Sequence, residues 1–148
     1  MDAKYFPIEI EEKWSKVWAE RELNKPESEQ NFSQIIPPPN VTGTLHMGHS
    51  FQYAIMDFYT RYHHMNGSDS YWQVGTDHAG IATQMVVENN LANEGKNKDD
   101  LGREKFLAEV WKWKDYSEEK ITSQIKRLGS TVEWDKYRFT FDNDFCEA

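Results

Sequence analysis

The sequence predicts an α/β fold in which parallel strands alternate with helices. An apolar run ends at Ile35-Ile36, where three prolines stop it, and apolar residues then recur at helical spacing. The residues with this spacing are Phe51, Ala54, Ile55, Phe58, Tyr62 and Met65. A second strand-like run, Ser70 to Val74, follows the Asn66-Gly67 pair that closes the helix. A strand, a helix and a second strand in this order form a βαβ unit, whose strands are parallel.

Residues 1–31 are predicted to contain an N-terminal helix and a connector. Pro7 favours the start of a helix with one apolar face. The members of this face are Ile10, Trp14, Val17 and Trp18. The polar stretch from Asn24 to Asn31 is typical of a connector. We interpret this helix as scaffold.

Residues 32–80 form the predicted βαβ unit. Its elements are a strand over Phe32–Ile36, a helix over Gly48–Met65 and a strand over Ser70–Val74. In such units ligands bind beyond the carboxyl ends of the strands. The segments Pro37–His49 and Gly75–Gly80 follow the two strands, so we expect them to face one crevice.

Residues 81–148 are predicted to be helical segments with one extended strand. The helices are Ile81–Glu94, Asp99–Lys114 and one that Ser117 caps and Gly129 ends; the strand is Arg138–Thr140, before a new cap at Asp142 or Asp144. The WKWK stretch, Trp111 to Lys114, has two readings. Its tryptophans could stack on bases, but aromatic side chains are more often buried, which favours a packed helix face.

The start of the second predicted helix is suited to bind anions. The first amide groups of a helix lack partners and the dipole is positive there, which favours phosphate. His46 and His49 lie three residues apart at this end, and their imidazoles add directed donors. Gly48 lacks a side chain and would let a flat ring approach closely.

The His46-Met47-Gly48-His49 tetrad resembles the first signature of the class I aminoacyl-tRNA synthetases. The preceding PPPNVTG, residues 37–43, and GTDHAGIATQ, residues 75–84, are similar to the valyl-type members of this family. For the tetrad alone, an accidental match whose histidines only cap a helix is the better reading. Two longer motifs in the right order make chance a poor explanation.

The resemblance spans nearly all 148 residues and implies the first half of a Rossmann-like nucleotide-binding fold, incomplete in this chain. Valyl-type enzymes are several times longer, so we expect a truncated chain. The editing insertion, the lysine-containing second signature and the anticodon-binding helices would be absent. The implied activity is ATP-dependent formation of valyl-adenylate and transfer of valine to tRNA(Val) in protein biosynthesis.

For the nucleotide, the resemblance implies contacts from Asn40, His46, Gly48 and His49. His46 and His49 are the candidate catalytic residues, because they can donate hydrogen bonds to phosphate oxygens as pyrophosphate leaves. Asn40 can both donate and accept hydrogen bonds, and an Asx-turn is an equally good sole role for it.

For valine, the resemblance implies contacts from Asp77, Pro37 and Pro38. The Asp77 carboxylate would hold the α-ammonium group, and the prolines would form rigid walls against the branched side chain. Two structural alternatives remain open. Asp77 could cap the helix that starts near Ile81, and the prolines could serve only to stop the strand.

Composition limits the partners. A net charge of −8 and a pI near 5.1 are unfavourable for gripping a phosphate backbone, so most tRNA contacts are expected in the absent regions. A single cysteine, Cys146, suits a reducing compartment, and the longest apolar run, Tyr53 to Met56, cannot cross a membrane. We expect a cytoplasmic enzyme, monomeric when intact.

No metal held by the protein is predicted. His46, His49, His63, His64 and His78 include His-x-x-His spacing, but structural zinc needs four ligands and the one cysteine is distant. Magnesium would arrive with ATP, held by its phosphates and by water.

Two other functions compete with this reading. A small nucleotidylyltransferase of the related His-x-Gly-His group is one, although GTDHAGIATQ argues against it. The other is an inactive, truncated module that binds nucleotide weakly, since half a parallel sheet leaves an open edge and exposed apolar faces.

Overall fold

The computed structural model describes residues 4–21 and 30–147. The elements in chain order are α1 (Pro7–Arg21), β1 (Gln30–Ile35), α2 (Met47–Met65), β2 (Asp69–Thr76), α3 (Gly80–Asn93), α4 (Lys98–Leu101), α5 (Arg103–Leu128), β3 (Glu133–Phe139) and α6 (Asn143–Cys146). The three strands form one sheet in the order β1-β2-β3, and both neighbouring pairs are parallel. The α/β class with parallel strands is therefore confirmed.

The βαβ unit is made of β1, α2 and β2. Gln30 and Asn31 belong to β1, so the predicted connector ends earlier than expected; residues 22–29 lie outside the described residues. β2 continues through Thr76, two residues into the GTDHAG motif. Its burial alternates from Asp69 to Val74, and pairing on both sides makes it the central strand.

The core lies where α2 and α5 pack against the sheet. Its fully or almost fully buried members are Ile36, Tyr53, Trp72, Val74, Ile121, Ile125 and Val132. Burying an aliphatic side chain of this size contributes roughly 1.5 to 3 kcal/mol. This cluster supports the two loops at the carboxyl ends of β1 and β2.

The prediction of a helix over Asp99–Lys114, followed by another that Ser117 caps, is wrong. Gly102, with φ of 73°, separates the short α4 from α5, and α5 then runs unbroken for 26 residues. Ser117 lies inside α5 and is fully buried. Its hydroxyl bonds to the backbone of Gly43 instead of capping a helix.

The apolar stripe of α2 faces outward. Phe51, Phe58 and Met65 are 70%, 66% and 86% exposed, whereas Tyr53 and Thr60 form the buried face. The spacing thus predicted the helix correctly, but within the described residues no element covers this stripe.

Helix α1 lies against the C-terminal end of α5. Glu11 pairs with Arg127 at 3.4 Å, and the guanidinium of Arg61 on α2 lies over the Trp18 ring. No helix in the described part of the chain is long and apolar enough to span a membrane.

Candidate active site

Backbone hydrogen bonds join the two motif loops beyond the ends of β1 and β2. The amide of Asp77 donates to the Pro39 carbonyl at 2.9 Å, and the amide of Val41 donates to the Asp77 carbonyl at 3.0 Å. Asn40 and Asp77 are thereby paired as a parallel bridge. The structure thus brings PPPNVTG and GTDHAG together at the carboxyl edge of the sheet.

Helix α5 anchors the first loop. The indole N–H of Trp113 donates to the Val41 carbonyl at 2.9 Å, and the side-chain oxygen of Gln124 accepts the amide of Leu45 at 2.9 Å. Ser117 Oγ accepts from the Gly43 amide and donates to the Gly43 carbonyl. A buried polar group without a hydrogen-bond partner lowers the stability of the fold. These bonds give the polar backbone groups of the loop their partners and limit its conformations.

His46 and His49 cap the N-terminus of α2 reciprocally. His46 is the N-cap residue, and its Nδ1 accepts the backbone N–H of Gly48 at 3.0 Å. The Nδ1 of His49 accepts the backbone N–H of His46 at 3.2 Å. The two rings lie 3.9 Å apart between centroids. The histidines therefore do act as caps, and the capping uses only one nitrogen of each ring.

This capping sets the tautomer that each ring adopts in its neutral form. Because each Nδ1 accepts a hydrogen bond, the ring proton of a neutral imidazole sits on Nε2. Both residues then offer an Nε2–H donor at the positive end of the helix. Burial, and then the charge of His46, lower the pKa of His49, which favours its neutral form at pH 7.

Gly48 and Asn40, the other two predicted nucleotide contacts, differ in their surroundings. A Cβ on Gly48 would lie 2.8 Å from Cε1 of His46, so the flat ring over this glycine is the His46 imidazole. Asn40 is exposed, and its backbone pairs with Asp77. Within the described residues its side chain makes no hydrogen bond, so the Asx-turn does not form.

The three prolines occupy different environments. Pro37 and Pro38 are exposed, whereas Pro39 is buried. The carbonyl of Pro37 accepts a hydrogen bond from the Tyr53 hydroxyl, and burial raises the pKa of Tyr53 to about 12. That hydroxyl therefore stays protonated and remains a donor.

Asp77 does not cap α3. The N-cap of α3 is Ala79, which has no side-chain capping bond and a left-handed φ of 51°. The Asp77 carboxylate instead accepts a hydrogen bond from the Thr140 hydroxyl at 2.9 Å. His78 lies alongside, with its ring packed against Phe141.

The contributions of α5 and Thr140 were not predicted from the sequence. Trp113, Ser117 and Gln124 lie at intervals of four and seven residues on one helix face, and this periodicity is the signal that could have identified them. The predicted packed helix face fits Trp113. Thr140 is at the end of the predicted extended segment, where a parallel strand would deliver it to the same sheet edge.

The chain matches the family model described as tRNA synthetases class I (I, L, M and V) over residues 9–148. The chain belongs to this family. It is 54% identical over 145 residues to a valine–tRNA ligase of Acinetobacter baylyi, an alignment that covers 97% of this chain and 15% of that protein. The chain thus spans about one seventh of the length of this class I relative.

A solved structure shows the class I fold independently of close sequence similarity. The crystal structure of the LeuRS-tRNA-LeuAMS ternary complex from Agrobacterium radiobacter matches with a TM-score of 0.74 at 19% identity, over 96% of this chain and 17% of that one. In the described ranges, 4–21 and 30–147, no group of three or more His, Cys, Asp or Glu side chains is arranged to hold a metal ion.

Proposed function

We propose that this chain forms the N-terminal part of the active site of a valine–tRNA ligase. The observation that carries the proposal is the 54% identity to the Acinetobacter baylyi enzyme over 97% of the chain. In this reaction the valine carboxylate attacks the α-phosphate of ATP, pyrophosphate leaves, and the valyl group then passes from the adenylate to tRNA(Val).

His46 and His49 stabilise the phosphates in this scheme. Their Nε2–H groups donate to phosphate oxygens as negative charge develops on the leaving pyrophosphate, and neither residue has to exchange a proton. Each such donor contributes roughly 2 to 4 kcal/mol to the transition state, by analogy with oxyanion donors. The Asn40 amide and the backbone around Gly48 contact the nucleotide. The capping geometry supports these roles, since Nδ1 is already occupied in both rings.

Asp77, Pro37 and Pro38 bind valine. The Asp77 carboxylate neutralises the α-ammonium group, and the exposed prolines face the branched side chain without offering a donor. Threonine is almost isosteric with valine, so such walls discriminate against it only weakly. The backbone pairing of Asn40 with Asp77 supports a shared pocket for both substrates.

The partners follow from this chemistry. Mg²⁺ enters with ATP and is held largely by phosphate and water. The acidic charge of the chain supports placing most tRNA contacts in other regions of the enzyme. We propose a cytoplasmic enzyme that is monomeric when intact.

The isolated 148-residue chain has a second candidate description, as a module that binds nucleotide weakly and catalyses nothing. The outward apolar stripe of α2 favours it. Pyrophosphate exchange by the isolated chain should then be negligible, whereas a self-sufficient short enzyme would show robust exchange.

The proposal is tested by transplanting this chain into the Acinetobacter baylyi enzyme in place of the matching segment. We expect exchange of pyrophosphate into ATP that depends on valine and responds far less to isoleucine. His46→Ala and His49→Ala should lower kcat with little change in the KM for valine, and the matched control His64→Ala, at an exposed position of α2, should do neither. Unchanged rates in both variants would reject the assigned role.

A separate variant tests the proposed contact between Asp77 and valine. Asp77→Asn should mainly raise the KM for valine, and Asp115→Asn, at an exposed position of α5, serves as its control. A protein that unfolds on Asp77→Asn, instead of binding valine weakly, would show that Asp77 is structural.

A further inference from the structure

The hydroxyl of Thr140 contacts both residues of the second loop that carry ionisable side chains. Its Oγ1 lies 2.9 Å from Oδ1 of Asp77, 2.9 Å from the backbone nitrogen of His78 and 2.7 Å from Nδ1 of His78. The Thr140 amide also donates to the Thr76 carbonyl at 3.1 Å, so the pairing of β2 with β3 continues to this residue.

Counting protons fixes the direction of each bond. A threonine hydroxyl has one proton and two lone pairs, and an ionised carboxylate can only accept. The hydroxyl proton therefore goes to Asp77, and Oγ1 accepts from both the backbone N–H and the Nδ1–H of His78. All three positions around Oγ1 are filled. His78 thus carries its proton on Nδ1, the opposite of the arrangement in His46 and His49.

We propose that Thr140 is a positioning residue for the Asp77 carboxylate, and this inference rests on the proposed function. Within the described residues the hydrogen bonds of the Asp77 side chain involve Oδ1, so the bond from Thr140 leaves Oδ2 for the ammonium group of the substrate. The same hydroxyl holds the His78 ring, leaving Nε2 of a neutral ring as an acceptor. The residue that follows β3 in this way holds a loop more than 60 residues earlier in the chain.

The surroundings of Thr140 suit this role. Phe139 and Phe141 flank it in the chain, and both rings pack against His78, with centroids 6.4 and 5.2 Å away. Trp111 of α5 packs against both phenylalanines in turn. Thr140 therefore lies between two aromatic residues whose rings both contact the His78 ring that its hydroxyl bonds.

Two variants separate positioning from packing. Thr140→Val keeps the shape and removes the hydroxyl, whereas Thr140→Ser keeps the hydroxyl. In the transplanted enzyme we expect Thr140→Val to raise the KM for valine about tenfold, because a hydrogen bond to a charged group is lost, with kcat changed less than about twofold. Thr140→Ser should have a KM for valine close to that of the unmodified enzyme. Thr122→Val is the matched control, because among the described residues the Thr122 hydroxyl bonds only to the backbone of its own helix.

The outcomes distinguish this inference from the function on which it rests. If Asp77→Asn leaves the KM for valine unchanged, the proposed function fails. Positioning by Thr140 is overturned if Asp77→Asn raises the KM for valine but Thr140→Val does not. It is also overturned if Thr140→Val lowers kcat and leaves the KM for valine unchanged.

A spectroscopic readout on the 148-residue chain is independent of catalysis. Imidazole ¹⁵N shifts should show neutral His78 protonated on Nδ1 in the unmodified chain and in Thr140→Ser, and a shift towards the Nε2–H form in Thr140→Val. An Nε2–H ring in the unmodified chain would overturn the proposal, because the Thr140 proton would then point to His78 and not to Asp77.

Discussion

Gly75→Ala is the substitution whose cost can be worked out most directly from the structure. A Cβ on Gly75 would lie 2.4 Å from the backbone carbonyl oxygen of Arg138 in β3. Close carbon–oxygen contacts in sheets are about 3.3 Å or longer, so β2 and β3 would have to separate by close to 1 Å. The clashing atom belongs to the backbone and cannot rotate away. Overpacking costs about 1 to 3 kcal/mol, and we expect the upper end here.

The assay is thermal unfolding of the 148-residue chain, followed by circular dichroism and by the fluorescence of its six tryptophans, of which Trp72 is fully buried. A loss near 3 kcal/mol in a chain of this length lowers Tm by about 6 to 12 °C. Gly43→Ala is the matched control, since a Cβ at Gly43 meets nothing within 4 Å and should change stability by less than about 0.5 kcal/mol. Equal Tm values for both variants, or a larger loss for Gly43→Ala, would refute the reasoning.

Three further predictions concern the loop anchor, the histidine pair and the exposed stripe. Ser117→Ala should lower the free energy of unfolding in urea by about 1 to 3 kcal/mol, because two backbone groups of Gly43 lose their partner. Ser123→Ala is its control and should stay close to the parent, since in the described part of the chain the Ser123 hydroxyl bonds only within its own helix. Equal losses in the two variants would exclude an anchoring role for Ser117. By NMR, His49 should titrate below its ordinary 6.5, and His46→Gln should raise that pKa only part of the way, since burial is the larger cause. The unfolded chain then binds the proton first, so the stability due to His49 falls as pH drops below 6.5; a midpoint above 6.5 would contradict this. Phe58→Gln should reduce binding of a hydrophobic dye without lowering Tm, because Phe58 lies on the exposed stripe. Tyr53→Ala, on the buried face, should lower the free energy of unfolding by about 3 to 5 kcal/mol. A lower Tm for Phe58→Gln would mean that the stripe is packed.

Local patterns were sufficient to predict the βαβ unit. Three prolines after Ile36 end the first strand and a glycine after Asn66 ends the helix, and both signals depend on neighbouring residues only. The predicted α2 accordingly differs from the observed helix by one residue. The position of both motif loops follows from the strand order, because parallel strands deliver their carboxyl ends to one edge.

Contacts between distant segments could not be read in the same way. Ser117 looked like a helix cap because serine favours that position, yet its partner is Gly43, 74 residues away. The sequence alone assigns no role to Thr140, and its contacts with Asp77 and His78 form only because β3 lies beside β2. Periodicity showed that α2 has an apolar stripe but could not show that the opposite face is the one buried against the sheet.

Affinity for a valyl-adenylate analogue, in which a stable sulfamoyl group joins valine to adenosine, tests most directly whether both motif loops line one pocket. Calorimetric titration of the transplanted enzyme should show that Asp77→Asn and Asn40→Ala each weaken the binding of this single molecule by at least about threefold. The binding of valine alone should respond only to Asp77→Asn, and the binding of ATP alone only to Asn40→Ala. If either substitution leaves the affinity for the analogue unchanged, a shared pocket is contradicted.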